Sequence, residues 1–269
     1  MQLGICTIQR DRGRWLTEWV TFHYLVGFRK FFIYLHKCTD NSPEIVISLK
    51  RQFDIECHIV PEETVRPQLV AYQHAYQEYG HTVDWIAFLD GDEFLFPTEE
   101  ENIQGVLARF QYRKISAIGV WWSCFGSGNH IQEPDGLVID NYQLRASHEF
   151  DANRHVKCIV RGHQGTHFSV SNNAHLFNTI LGTFDEQLRP ITHGFMPELE
   201  PSYKMLRINH YVCQSLEYFK KFKQKSGAAD AGALAVRPDE WWVRHDRNDV
   251  KDDTIIKFRP QLIELLGRQ

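Results

Sequence analysis

The chain has 269 residues, 43% of them hydrophobic and 24% charged, with a formal net charge of -4 from 30 basic and 34 acidic side chains. That balance excludes a disordered or fibrous chain and suits one large domain, or one domain with a small appendage. It also gives no general electrostatic drive towards nucleic acid or an anionic membrane, so no nucleic-acid partner is expected and any phosphate binding must be local.

Residues 2–8 read as a strand. Trp15, Trp19, Phe22 and Val26 then fall on one helical face, and Gly27 is placed to end that helix. Residues 30–35 (KFFIYL) form the next strand, which runs into the polar stretch 36–42 before Pro43 opens another helix. A third strand is predicted at 55–60, a third helix at 67–79, and a fourth strand at 85–89 that leads directly into Asp90. This alternation predicts an α/β fold, a Rossmann-like, mainly parallel sheet with helices on both faces. Ligands gather at the carboxyl ends of such strands, and there the sequence puts its polar groups, at 9–12, 36–40 and 90–93.

Beyond Pro97 the pattern loosens. A helix is predicted at 102–110, a strand at 115–122, a loop containing Gly, Asn and His at 126–135, strands at 137–144 and 156–161, and a basic helix at 216–225. Residues 227–235 are rich in Gly and Ala and read as a flexible loop or linker. The chain therefore divides into a domain over 1–225 and a helical C-terminal extension over 226–269, expected to pack on the same domain.

The chemistry concentrates at Asp90-Gly91-Asp92-Glu93. Two carboxylates at one exposed strand end are hard oxygen ligands that can meet a divalent cation and the diphosphate of a nucleotide. Gly91 between them lets a ligand approach the backbone. Taken alone, such a short motif reads more readily as a solvated turn in which Asp90 caps a helix and Glu93 lies in its first turn. Its place after an apolar strand, and the apolar Phe94-Leu95-Phe96 that follows, favour a site.

Other residues carry weaker signals. Asp40 can accept from ribose hydroxyls or a base N–H, or cap the helix near Pro43. Arg10 and Arg66 are candidates for phosphate or base, against the common fate of an exposed arginine. Lys157 is in the middle of a strand, where a lysine needs a reason, and neutralising a diphosphate is one. The loop at Gly126 can pass its backbone close to a sugar, with Trp121 or Trp122 stacked on the sugar face, or can be a plain turn.

In order along the chain, Trp15 to Val20 with Phe22-His23-Tyr24 and Gly27-Phe28, Cys38 to Ser42, Trp85 to Phe94, Trp121-Trp122 with Phe125 to Gly128, Val156 to Arg161 and Asn209-His210-Tyr211 resemble glycosyltransferase family 92 and related family 2 enzymes. The resemblance covers about residues 3–225 and departs where Gln9-Arg10-Asp11-Arg12 and Gly91 stand. It implies the GT-A fold and a hexosyltransferase that moves a sugar from a nucleotide-sugar, often UDP-linked, to a glycan or other acceptor hydroxyl, as in polysaccharide biosynthesis. It further implies Mn²⁺ or Mg²⁺ held by Asp90, Asp92 and His210, with donor binding by Gln68, Gly91, Trp122, Gly126 and Lys157 beside Arg10, Asp40 and Arg66. The cation would offset negative charge on the leaving diphosphate.

An inverting transferase needs a base for the acceptor hydroxyl, and Asp135, Glu133, His130 and Glu149 are the candidates, with Asp135 preferred. Two rival classes stay open. A haloacid-dehalogenase-like phosphohydrolase also begins its site with an apolar strand and Asp-X-Asp, and a non-catalytic sugar- or nucleotide-binding module would keep the aromatics without turnover. The six scattered cysteines fit reduced thiols, and with no secretion leader or membrane span in the sequence a cytoplasmic location is expected, with peripheral membrane contact allowed.

Overall fold

The computed structural model describes residues 1–162, 168–170, 173–225 and 236–267. In chain order these form β1 (Leu3–Gln9), α1 (Gly13–Leu25), β2 (Lys30–Leu35), α2 (Ser42–Leu49), β3 (Asp54–Ile59), α3 (Pro67–Tyr79), β4 (Trp85–Phe88) and β5 (Glu93–Pro97). There follow α4 (Ile103–Ala108), β6 (Ala117–Cys124), α5 (Val138–Asn141), β7 (Leu144–Arg145), β8 (Val156–Arg161), β9 (Ser169–Val170), β10 (Phe177–Asn178), β11 (Thr183–Phe184) and β12 (Pro190–Ile191). β13 (Leu206–His210), α6 (Leu216–Tyr218), α7 (Asp239–His245), β14 (Val250–Lys251) and α8 (Arg259–Leu266) complete the series. The Gly- and Ala-rich stretch 227–235 lies outside the described residues.

The main sheet runs β12-β11-β6-β8-β4-β1-β2-β3, with β13 joined to both β5 and β6. β1 pairs in parallel with β2 and β4, and β2 with β3, whereas β8 runs antiparallel between β4 and β6. The result is the mixed, mainly parallel α/β sheet that the alternation in sequence predicts.

Strand residues alternate between two cores, as the period of two in a strand requires. Phe31, Ile33 and Leu35 face the core that holds Trp15, Trp19 and Phe22 of α1, while Phe32 and Tyr34 face the core that holds Tyr72 and Ala75 of α3. Helices therefore cover both faces. Gly27, at φ 124°, supplies the left-handed backbone that ends the first helix and turns the chain into β2.

The C-terminal residues join the same core. Ile255, Phe258 and Leu262 are buried with α1. Asp252 accepts from Arg145 Nε at 2.7 Å and from Arg207 Nη1 at 2.9 Å, and the Arg207 pair helps hold its carboxyl far below the usual range against the effect of burial.

One predicted element is corrected. Residues 137–144 are not a strand: Val138–Asn141 is a single helical turn, and only Leu144 and Arg145 are extended. Glu18 of α1 sets that turn by accepting from the Val138 and Ile139 N–H groups at 2.8 and 3.2 Å. Burial pushes the Glu18 carboxyl up to about 7, with those two hydrogen bonds opposing. Six free cysteines are present, and among the described residues no helix is long and apolar enough to cross a membrane.

Candidate active site

The acidic motif forms the connection between β4 and β5, at the carboxyl end of the parallel strands. Glu93 is fully buried at the start of β5, and its Oε2 accepts from the Asp90 N–H at 2.8 Å. Burial pushes its carboxyl well above the usual range, so Glu93 is a neutral prop beneath the turn. The indole N–H of Trp19 donates to the Glu93 carbonyl at 2.9 Å. The solvated helix-cap alternative does not hold here, because residues 93–97 are a strand paired with β13.

The two aspartates meet different cations. Asp90 Oδ1 is 3.0 Å from Lys157 Nζ and accepts from Gln68 Nε2 at 2.5 Å and from the Tyr72 hydroxyl at 3.3 Å. Asp92 Oδ2 is paired with the Lys223 ammonium, and Asp92 Oδ1 lies 3.7 Å from His210 Nε2. Burial acts to raise both carboxyls, but Lys157 for Asp90, and Lys223, His210 and Arg12 for Asp92, outweigh it and hold them low. Both are therefore carboxylates at neutral pH.

His210 ends β13 beside Glu93. Burial pushes its imidazole down to about 3 while Asp92 opposes, so the ring is neutral, which is the form that can bind a metal. Among the described residues its Nδ1 is buried without a hydrogen-bond partner, as is Nε1 of Trp122, whose ring lies 4.1 Å from that of His210 and stacks on His155 at 4.9 Å. Such orphaned atoms are costly in a folded core and are what a ligand-binding wall retains. Three further histidines share one tautomer. Nδ1 of His155, His175 and His245 lies 3.0, 3.0 and 2.7 Å from a backbone carbonyl, which fixes the proton there and leaves Nε2 with its lone pair. Burial lowers all three, His175 to about 3.

Arg12 links the motif to the C-terminal wall. It is buried, donating from Nη2 to the Gly91 carbonyl at 2.9 Å and from Nη1 to Gln214 Oε1 and the Tyr218 hydroxyl, both at 2.6 Å. After α6 the chain continues in a π-helical turn over Phe219–Lys223, a rare geometry that brings Lys223 to Asp92.

These residues line a cavity of about 520 Å³, within the range of small-molecule sites. Among the described residues its wall carries seven Lys or Arg side chains (Arg10, Arg12, Lys157, Lys221, Lys223, Lys225, Arg237) against three carboxylates (Asp11, Asp90, Asp92). The cavity is therefore positive in a chain whose net charge is -4.

Of the residues chosen from sequence, Arg10, Gln68, Asp90, Gly91, Asp92, Trp122, Lys157 and His210 line the cavity. Others are found elsewhere. Asp40 accepts from the Gly13 and Ser42 N–H groups at 2.8 and 3.0 Å, binding the start of α1 to the start of α2. Arg66 is exposed at the start of α3. Gly126 packs so closely on the Arg247 carbonyl that a Cβ would lie 2.4 Å from it. Beside Gly91 the space is filled by the Gln9 side chain, 2.1 Å from where a Cβ would be.

None of the base candidates lines the cavity. Asp135 is exposed and paired with Arg14 at 3.0 Å, and His130 Nε2 lies 3.2 Å from the Asn141 carbonyl. Glu133 accepts from the Tyr142 and Ser215 hydroxyls at 2.9 and 2.6 Å, and Glu149 is exposed. Sequence reading passed over Lys223, His155, His175 and His245, which carry no local pattern.

Asp92, with its carboxylate, and His210, with its neutral ring, are the two side chains here that could hold a divalent cation. Asp90, the third ligand expected from sequence, has its Oδ1 engaged by Lys157, Gln68 and Tyr72, and among the described residues no group of three or more His, Cys, Asp or Glu is arranged to hold a metal. Two protein ligands suit an ion that keeps its waters and substrate phosphates as the rest of its shell.

The sequence profile of Glycosyltransferase family 92 matches residues 2–231. "Glycosyltransferase family 92 protein Os08g0121900" of Oryza sativa subsp. japonica is 24% identical over 88% of this chain and 41% of its own length. "Glycosyltransferase family 92 protein RCOM_0530710" of Ricinus communis is 26% identical over 100% and 49%. The chain thus spans less than half the length of these curated relatives. Among solved structures, S. aureus TarS 1–349 in complex with UDP superposes at TM-score 0.40 with 13% identity, over 60% of this chain and 47% of that one. Glucosyl-3-phosphoglycerate synthase from Mycobacterium tuberculosis, with Mg²⁺ and UDP, gives TM-score 0.33 and 11% identity over 45% and 43%.

Proposed function

Since the chain belongs to glycosyltransferase family 92, we propose that it transfers a sugar from a nucleotide-sugar, with UDP as the nucleotide to test first, to a hydroxyl of a glycan or other acceptor. The observation that carries the reading is the cavity itself, where Asp90 and Asp92 at the end of β4 face an excess of cationic side chains. A cation-rich pocket at the carboxyl ends of parallel strands suits a diphosphate-linked donor.

Each wall has a task in that transfer. Arg10 and Lys221 offset the charge of the diphosphate, before and after the sugar leaves. Arg12 fixes the backbone of the acidic turn, and Lys157 with Gln68 fixes Asp90, so neither carboxylate must reorganise when the donor binds. A divalent cation held by Asp92 and His210 would supply Lewis-acid stabilisation of the leaving diphosphate. For inversion, the acceptor proton has a receiver in one of the neutral cavity histidines, His155 or His245, whose Nε2 keeps its lone pair. The phosphohydrolase alternative would need Asp90 as a nucleophile, whereas its Oδ1 is engaged by Lys157 and Gln68.

The experiment is a thermal-shift panel of UDP-, GDP- and ADP-sugars with and without Mn²⁺. A ligand that binds only the native state raises the midpoint by an amount that grows with the logarithm of its concentration over Kd. One nucleotide-sugar class should stand out for the wild type and lose its shift in Asp92→Asn. A flat panel would remove the donor-site reading, and binding without any slow sugar release would favour a non-catalytic module.

A further inference from the structure

Two lysines stand against the two aspartates of the acidic motif, and they differ in access. Lys157 is 1% exposed and held on Asp90, within a strand and next to the ring of Tyr72. Lys223 is 17% exposed, lines the cavity and pairs with Asp92, the carboxylate that the donor-site reading assigns to a metal. Asp92 takes one of its three N–H donors, and among the described residues no other side chain or carbonyl accepts from it.

The backbone beneath Lys223 is arranged to hold it there. The π-helical turn Phe219–Lys223 is anchored by the buried Phe219, which stacks on Trp241, and Arg237 Nη1 donates to the Lys223 carbonyl at 2.8 Å. π-helical turns cost stability relative to regular helix and recur at functional sites. The carboxylate at Asp92 thus already has a cation, covalently part of the chain, with donors to spare at the mouth of a positive cavity.

We propose that Lys223 is the pocket's own diphosphate-binding cation, seated on Asp92 in the place a divalent ion would take, so that a nucleoside diphosphate binds without metal and a divalent ion competes with Lys223 for Asp92. This rests on the reading of the cavity as the donor site. It reassigns diphosphate contact from Lys157, which is shut in by Asp90, to a residue from the opposite wall. Lys223 is a binding residue in this account, since it touches the diphosphate and not the acceptor.

The test measures binding, independent of turnover. UDP, GDP, ADP and uridine are titrated calorimetrically in EDTA into the wild type, Lys223→Met and Lys223→Arg, and Mn²⁺ is titrated without nucleotide with the free ion followed by EPR. One nucleoside diphosphate should bind the wild type in EDTA and bind Lys223→Met about tenfold or more weakly, as expected for loss of a charge-assisted contact. The matching nucleoside should be unaffected, which also shows that the variant is folded, and Lys223→Arg should recover most of the loss. Mn²⁺ should bind Lys223→Met several-fold more tightly than the wild type, because the competing ammonium is gone.

Diphosphate binding in EDTA that Lys223→Met leaves unchanged would overturn the proposal, as would equal weakening of the nucleoside or an unchanged or weaker Mn²⁺ affinity. Wild-type binding that appears only with Mn²⁺ would also overturn it while leaving the donor-site reading intact. If no nucleoside diphosphate binds in either condition, the donor-site reading falls and this inference with it.

Discussion

His23, in the core between α1 and β5, and His210, in the cavity wall at the end of β13, are both buried imidazoles that burial pushes down to about 3. His23 has both ring nitrogens committed: Nδ1 donates to the Trp19 carbonyl at 2.8 Å, and Nε2 accepts from the Leu95 N–H at 3.2 Å. His210 has an Nδ1 with no partner among the described residues, and its Nε2 faces Asp92 at 3.7 Å, beyond hydrogen-bond reach. Burial and a depressed pKa alone therefore do not mark a functional histidine. What separates the two is satisfaction of the ring nitrogens, complete in the core and left open at the cavity.

The comparison predicts opposite damage from the same substitution. His210→Ala should lower transfer by at least about 100-fold in a steady-state rate assay, since the proposed function makes His210 one of two protein ligands to the cation. His23→Ala should leave donor affinity nearly intact but cost about 3 to 5 kcal/mol of stability, because it opens a cavity and strands a carbonyl and an N–H. At roughly 2–4 °C per kcal/mol for a domain of this size, its thermal midpoint should fall well below that of His210→Ala. Equal midpoints would break the distinction.

Protonation should probe both regions together. The folded pKa of each histidine lies below its unfolded value of about 6.5, so the native state binds fewer protons than the unfolded state between those values. Stability is then present in full above about pH 6.5 and is lost as pH falls towards 3. In His23→Ala the pH slope of urea unfolding over that window should be shallower by about 1.4 kcal/mol per pH unit, one proton's worth. An unchanged slope would show that His23 is not held neutral. Trp122→Phe should have the smallest effect. It removes an indole N–H that has no partner among the described residues, so stability should move by about 0.5 kcal/mol or less while donor affinity weakens roughly threefold to tenfold by titration.

How much of this was legible in the sequence follows from the range of the forces involved. The strand before Asp90 and the strand over 156–161 could be read because short, mostly apolar runs are local signals, and the helix over 67–79 because Pro67 stands at its start and Gly80 at its end. Residues 137–144 were misread because a short apolar run suits either a strand or one helical turn, and the deciding groups are the carboxylate oxygens of Glu18, 120 residues away. The acidic motif was legible through its position at a strand end.

The opposite wall of the cavity was not. Lys223 read as part of a basic helix over 216–225, since neither a π-helical turn nor a contact back to Asp92 leaves a periodic trace. The same holds for His155, His175 and His245, lone histidines: their Nδ1 partners are the carbonyls of Ala152, Val156 and Trp241, but only the fold brings the three rings to one cavity. Three of the four base candidates were drawn from the polar loop after β6, and the fold spends that loop on anchoring: Glu133 collects hydroxyls from Tyr142 and Ser215, and Asp135 meets Arg14 at the surface.

The measurement that tests the central claim most directly is release of UDP from UDP-sugars in the absence of acceptor, followed for the wild type and Asp92→Asn with and without Mn²⁺. The account predicts slow release by the wild type, faster with Mn²⁺, and a loss of at least about 100-fold in Asp92→Asn with the fold retained. Release that is unaffected by Asp92→Asn, or tight binding of the UDP-sugar with no release at all, would contradict it.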